Sequence, residues 1–277
     1  MSDNTEKAVP EAKYADIGDD LRIHYHEAGE GEAVLFLHGS GPGASGWSNF
    51  RRNYPTFADN GFRTLVPDTL GFGYSSKPDQ DYELDFLAGG VKRFLDAVGV
   101  ERCAVVGNSH GGAMAIQLAL MHPEVVTKLV LMAPGGLETR ETYMQMRGIK
   151  AMVRAVYAPE GITKDSMRRV FEKQLFDSSL ITDAIIDERY DMAQLQLKNM
   201  PGRLKVPHMA PRLSELSCPV FGLWGKDDLF CPVSGATTLI NECKDVRVLT
   251  FANCGHWVMV EQADVFNRLC VDFLVNG

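Results

Sequence analysis

The apolar run CAVVG (103–107) passes through Asn108, Ser109 and His110 straight into the helical pattern GGAMAIQLAL (111–120), leaving three residues for a complete change of chain direction. A turn that tight brings backbone segments closer than a Cβ allows, which accounts for Gly107, Gly111 and Gly112 around it. Strand, sharp turn and helix in this order restrict the chain to architectures in which the two element types alternate. Six further short runs, LRIHYHE, AVLFLH, RTLVPD, KLVLMA, PVFGLWG and VRVLTF, repeat the rhythm, separated by amphipathic stretches such as 81–98 and 262–274. Several are apolar at nearly every position, as strands buried on both faces of a parallel sheet require. The expected class is α/β, with a mostly parallel, doubly wound sheet and right-handed crossovers.

One segment breaks the rhythm. From 137 to 207 no strand pattern appears, while Met, Arg, Lys and Leu recur at helical spacing. The sequence therefore predicts a helical lid over 137–207, inserted into a core made of 15–136 and 208–277, with a mobile N-terminal segment over 1–14. The insert follows a strand ending at Ala133, Pro134, Gly135 and Gly136, so it lies on the carboxyl side of the sheet, where open α/β sheets bind ligands.

Composition excludes several classes. The 277 residues can bury a sizeable core without disulfides. Twenty-eight Lys and Arg against 36 Asp and Glu give a net charge of -8, without the basic clusters a nucleic-acid partner requires. No apolar stretch approaches the roughly 18 residues of a membrane span. The opening MSDNTEKAVPEAKY lacks the apolar core of a leader, so cytoplasmic residence is expected. The six cysteines (103, 218, 231, 243, 254 and 270) form no C-x-x-C pair and are expected as free thiols.

The chemistry-bearing residues fall at strand ends. Ser109 in Gly107-Asn108-Ser109-His110-Gly111 has the G-x-S-x-G form, with its hydroxyl exposed above the sheet at the start of a helix. A serine hydroxyl is a weak nucleophile at neutral pH; it needs a base, and the base needs an orienting acid. His256, between Gly255 and Trp257, follows the run VRVLTF and is the base candidate. His24 and His26 sit on an alternating strand, His122 at a helix end and His208 near a proline junction, positions that suit structural roles. Asp227 and Asp228, after PVFGLWG, compete as the acid. The glycine-rich loop from His38 to Ala44 follows AVLFLH, and there the N–H of Ser40 or Gly41, with that of His110, could hold an oxyanion.

Together HGSGPGASGWSNF, DTLGFGYSSKP, GNSHGGAMA, GKDDLFCP and CGHWVMVEQADVFN resemble the α/β-hydrolases over nearly the whole chain from residue 15, and more narrowly the meta-cleavage product hydrolases. That family splits a carbon-carbon bond in 2-hydroxy-6-oxohexa-2,4-dienoates, the ring-opened products of extradiol catechol dioxygenases. The resemblance makes Ser109 the nucleophile, His256 the general base and then acid, and Asp228 its orienting carboxylate, since the family's G-x-x-D spacing falls on Asp228. It also places Asn49, Asn108, Arg189 and Trp257 around the carboxylate and 2-oxygen of a small dienoate. Ser40 and His110 depart from the residues common in relatives, and because both supply mainly backbone N–H groups, altered pocket shape or polarity is the expected consequence.

The resemblance further implies no metal, no organic cofactor, and a homodimer or homotetramer. An aryl, and specifically phenyl, 6-substituent is expected, with Met144, Met146, Ile149, Met152, Val153, Leu175 and Phe176 as candidate apolar lining. The same-fold alternative is a carboxylesterase or lactonase, because a triad and oxyanion hole serve any acyl transfer.

Overall fold

The computed structural model describes residues 9–277. Its strands are β1 (Lys13–Asp16), β2 (Arg22–Ala28), β3 (Glu32–Leu37), β4 (Phe62–Pro67), β5 (Tyr82–Glu83), β6 (Cys103–Asn108), β7 (Val126–Met132), β8 (Leu204–Lys205), β9 (Val220–Gly225) and β10 (Val246–Phe251). Eight form one sheet in the order β1-β2-β4-β3-β6-β7-β9-β10. β2 pairs antiparallel with β1 and β4, and the remaining neighbours are parallel. The doubly wound α/β sheet expected from the apolar runs is thus the sheet observed.

The runs that are apolar throughout become the central strands. β6 and β9 are buried at every position, because helices cover both faces there. VRVLTF forms the edge strand β10 and stays half exposed. On one face lie α3 (Leu84–Ala97), α4 (His110–Met121) and α10 (Ser234–Glu242); on the other lie α1 (Gly46–Phe50), α2 (Tyr54–Asp59), α11 (Val258–Glu261) and α12 (Ala263–Asn276). Leu35 and Phe36 point to opposite faces of β3 and are both fully buried, each contributing about 1.5–3 kcal/mol of burial.

Between β7 and β9 run α5 (Arg140–Gln145), α6 (Arg147–Val156), α7 (Lys164–Phe171), α8 (Asp183–Ala193) and α9 (Met200–Arg203). Thr139, Thr163 and Thr182 cap α5, α7 and α8 through side-chain oxygens, so the threonines punctuating this segment set where its helices start. Met167, Val170, Phe171, Leu175 and Ile186 form its own apolar cluster, which also takes in Phe230 from the loop after β9.

Three short strands, β1, β5 and β8, left no pattern in the sequence. β8, inside the segment read as strandless, pairs parallel with β5 and ties the end of the helical insert to the core. β1 begins at Lys13, so the last two residues of the expected mobile segment 1–14 are paired in the sheet, while residues 1–8 lie outside the described residues. Four residues are too few for periodicity to register. β1 is held instead by β2, with Arg22 over the Tyr14 ring and Lys13 bonded to Glu27.

Candidate active site

Ser109 sits between β6 and α4 with φ 54° and ψ -117°, in the left-handed half of conformational space, which non-glycine residues rarely adopt. The strain is held by main-chain bonds on both sides. Its N–H donates to Met132 O (2.9 Å), and its carbonyl accepts from Ala113 and Gly135 (3.1 and 2.9 Å). A Cβ on Gly111 would stand 2.0 Å from Leu37 O, so only glycine lets α4 start this close to β3.

The loop after β9 carries Asp228, and the loop after β10 carries His256. Asp228 Oδ1 accepts the main-chain N–H groups of Phe230 and Cys231 (2.7 and 2.9 Å), which leaves Oδ2 facing His256 Nδ1 at 2.6 Å. Both side chains are almost fully buried. Asp227 turns the other way, its Oδ2 meeting the Cys254 N–H at 3.4 Å, so only Asp228 of the two adjacent aspartates reaches the imidazole. The His256 ring stacks on Phe230 (5.2 Å between centroids), and its main-chain N–H donates to Gln174 O at 2.6 Å. The catalytic-loop candidate is therefore braced by the helical insert.

Ser109 and His256 open onto one cavity of about 50 Å³, also lined by Gly39, Ser40, Gly41, Asn49, Asn108, Ile149, Met152, Gln174, Arg189, Phe230 and Trp257. Among the described residues no hydrogen bond joins the Ser109 hydroxyl to the His256 ring; such contacts commonly tighten only when substrate arrives. Asn108 spends its amide nitrogen on Met132 O (3.3 Å) and His256 O (3.5 Å), tying the elbow to the histidine loop.

The glycine loop is fixed from below. Thr69 N–H donates to His38 Nε2 (3.0 Å), so the ring's proton is on Nδ1, which donates to Gly39 O (2.7 Å). Burial pulls the pKa of His38 down and keeps it neutral. Asp68 accepts from Gly46 N–H, Tyr74 N–H and His24, bracing the end of the same loop. Ser40 and Gly41 face the cavity, while His110 occupies the first position of α4, where a main-chain N–H has no intrahelical acceptor. The His110 side chain is buried with neither ring nitrogen bonded, its pKa pulled down to about 3 by desolvation, and it is not among the lining residues. Of the two departures, only Ser40 faces the cavity with its own residue.

Arg189, on α8, is 2% exposed. It bonds only neutral groups: Pro42 O (3.2 Å), Ser48 Oγ (2.7 Å) and Asn49 Oδ1 (3.1 Å), with its guanidinium over the rings of Phe171 and Trp257. Desolvation brings its pKa down to about 9, so it remains charged at neutral pH. Among the described residues no carboxylate lies within ion-pair distance of it; neighbouring Glu188 is paired with Arg51. A buried cation without a counter-ion is costly unless a ligand supplies one. A Cβ on Gly43 would lie 1.9 Å from Arg189 O, so the glycine loop and α8 touch backbone to backbone here.

Of the apolar residues read from the insert, Ile149 and Met152 line this cavity, and Leu175 lines a neighbouring one of about 30 Å³ that shares Asn49, Arg189 and Trp257. Met144 and Phe176 are 40% and 54% exposed and line neither. Gln174 was not legible: it stands among charged and apolar residues after α7, and only the fold-back onto the histidine loop buries it.

The alpha/beta hydrolase fold family matches residues 32–165. A 2-hydroxy-6-oxononadienedioate/2-hydroxy-6-oxononatrienedioate hydrolase of Comamonas testosteroni is 41% identical, covering 93% of this chain and 92% of that protein. A 2-hydroxy-6-oxo-6-phenylhexa-2,4-dienoate hydrolase of Burkholderia cepacia is 40% identical over the same shares. The meta-cleavage product hydrolase from Pseudomonas fluorescens IP01 superposes with a TM-score of 0.83 at 28% identity, over 95% of this chain and 97% of that one. The chain belongs to the meta-cleavage product hydrolases. The α/β-hydrolase fold expected from the elbow and the alternating runs is the fold of this hydrolase. Among its described residues no helix is long and apolar enough to cross a membrane.

Proposed function

We propose that the hydrolase cleaves the C5–C6 bond of 6-substituted 2-hydroxy-6-oxohexa-2,4-dienoates, giving 2-hydroxypenta-2,4-dienoate and a carboxylic acid, with phenyl as the preferred 6-substituent. The observation that carries this reading is Arg189: a charged, buried guanidinium at the wall of the Ser109 cavity with no carboxylate beside it. An anionic substrate end supplies the missing counter-ion, and a guanidinium fork suits a carboxylate. A carboxylesterase or lactonase acting on neutral esters has no use for it.

In this mechanism Arg189, Asn49, Asn108 and Trp257 surround the C1 carboxylate and 2-oxygen of the dienoate, with Arg189 on the carboxylate. The 2-hydroxyl loses its proton and C5 gains one, with His256 as the shuttle, leaving a 2,6-dioxo compound. The Ser109 hydroxyl gives its proton to His256 Nε2 as its oxygen attacks C6. Asp228 keeps the imidazole oriented and balances its charge. The N–H groups of His110 and of Ser40 or Gly41 carry the oxyanion. Collapse breaks C5–C6, and the electron pair passes into a dienolate that His256 reprotonates. Water then hydrolyses the acyl group from Ser109. Direct attack of water on C6 would give the same products through a gem-diol; a rapid acid quench followed by mass measurement of the Ser109 peptide distinguishes the two.

For the 6-substituent, relatives carry both phenyl and dicarboxylate names. Ile149, Met152 and Phe230 make an apolar wall beside Ser109, and Arg189 is the one Lys or Arg among the described lining residues. Within the Ser109 cavity a second carboxylate would meet no cation besides Arg189, and Arg51 and Arg52 line only the neighbouring cavity on the Arg189 side, which favours phenyl beside Ser109. Turnover of the 6-phenyl dienoate is expected to exceed that of 2-hydroxy-6-oxononadienedioate in kcat/KM; the reverse order, read from loss of visible absorbance, would overturn the phenyl assignment.

Arg189→Ala is expected to lower kcat/KM for the dienoate about 10²- to 10³-fold, as truncating one partner of a buried charge pair does. It should also reduce the preference for the acid over its 1-carboxamide. An unchanged preference would move the carboxylate site elsewhere. Residues 137–207 act as the lid in this account. Six buried free cysteines fit a reducing cytoplasm. A homodimer or homotetramer is proposed from the resemblance and is read directly by light scattering.

A further inference from the structure

Gln174 follows α7 and lines the Ser109 cavity at 3% exposure. Its Oε1 is fully buried and has no hydrogen-bond partner, and among the described residues its Nε2 makes no hydrogen bond either. A buried amide oxygen without a donor carries a desolvation cost that a donor on a ligand removes. The main chain is nonetheless committed, because Gln174 O accepts the His256 N–H at 2.6 Å and a Cβ on Gly255 would meet the same oxygen at 2.5 Å. The side chain is thus held in the cavity by the same contact that positions the histidine loop.

Its direction is also defined. A Cβ built on Gly41 would lie 3.7 Å from Gln174 Nε2 and 3.5 Å from Arg189 Nη2, so the amide and the guanidinium face one point in front of the glycine loop. A ligand carboxylate on Arg189 would therefore stand beside the Gln174 amide, with the substituent on its neighbouring carbon within reach of that amide.

We infer that Gln174 is a further substrate-binding residue that recognises the oxygen on the carbon next to the carboxylate, the 2-oxygen of the dienoate. This rests on the dienoate reading above. In the dienol that oxygen is a hydroxyl and needs an acceptor; in the keto tautomer it is a carbonyl and needs a donor. A carboxamide offers one of each, whereas a carboxylate offers acceptors alone and an ammonium donors alone. Which end of the amide points inward follows from hydrogen bonding and not from shape, so either orientation serves one tautomer.

The test separates the 2-oxygen from the carboxylate by using two small acids that differ only there. Dissociation constants of 2-oxopentanoate and pentanoate are measured by ligand-observed NMR on the parent, Gln174→Leu and Gln174→Glu. The parent should bind the 2-oxo acid about tenfold tighter. Gln174→Leu, close in volume, should erase that preference and leave pentanoate within twofold of the parent. Gln174→Glu puts a carboxylate beside Arg189 Nη2 and should weaken both acids at least tenfold. With the phenyl dienoate, Gln174→Leu should raise KM more than it lowers kcat. A preference that survives in Gln174→Leu, a parent with no preference, equal loss of both acids in Gln174→Leu, or unchanged binding in Gln174→Glu would overturn the inference. Failure of the parent to turn over any dienoate would instead overturn the reading beneath it, and the NMR comparison is independent of turnover.

Discussion

Ser109→Ala is expected to bind the 6-phenyl dienoate with near-parental affinity and to cleave it about 10⁴- to 10⁶-fold more slowly, the scale on which removal of a triad nucleophile acts. Binding should survive because the groups assigned to the carboxylate end, Arg189 and Asn49, are held by contacts that do not involve the Ser109 side chain. The elbow should survive too. Its left-handed backbone is held by main-chain bonds to Met132, Ala113 and Gly135, and alanine tolerates that conformation no worse than serine. Stopped-flow absorbance with excess enzyme separates the two effects: the dienoate spectrum should shift on mixing and then persist. Parental cleavage rates would remove Ser109 from the role of nucleophile.

Asp228→Asn is expected to lower kcat about 10⁴-fold with little change in KM. Oδ1 can still accept from Phe230 and Cys231, so the loop should hold its shape. What changes is the group 2.6 Å from His256 Nδ1. An amide nitrogen there donates instead of accepting, which reverses the imidazole tautomer and puts a hydrogen on the nitrogen that must take the Ser109 proton. Asp227→Asn is the matched control, because Asp227 points to the Cys254 N–H, and it should leave kcat within a few-fold of the parent. Equal losses in the two variants would mean that the loop as a whole, not the Asp228 carboxylate, supports turnover.

Where the sequence was readable, chemistry and spacing coincided locally. The elbow is spelled out by glycines flanking one serine between an apolar run and a helix, and in the structure Gly111 lets α4 approach β3, Gly107 lets the first turn of α4 fold against the end of β6, and Gly112 makes room for Pro134. The parallel strands were readable because burial on both faces leaves nearly unbroken apolar runs, as in β6 and β9. β1 and β8 were not, since four and two residues carry no period and their pairing is decided by distant partners.

The site divides along the same line. Asp227 and Asp228 are equivalent as letters, and only the turn after β9 decides which carboxylate meets His256. Arg189 looks like any helix arginine until α8 packs on the glycine loop and strips its solvent. Gln174 had no signal at all. It lies 82 residues before His256 in the chain, and its burial follows from a main-chain contact between the two that no local pattern encodes. Residues whose roles come from long-range desolvation are therefore the ones a sequence conceals, and here they surround the predicted anionic end of the substrate.

The most direct measurement is the loss of visible absorbance when purified protein meets 2-hydroxy-6-oxo-6-phenylhexa-2,4-dienoate, run beside p-nitrophenyl acetate, with the products identified. Fast decay is expected, with benzoate and 2-hydroxypenta-2,4-dienoate formed in equal amounts and a much smaller kcat/KM for the nitrophenyl ester. Efficient ester hydrolysis with a dienoate spectrum that does not decay would contradict the dienoate reading and leave an esterase in its place.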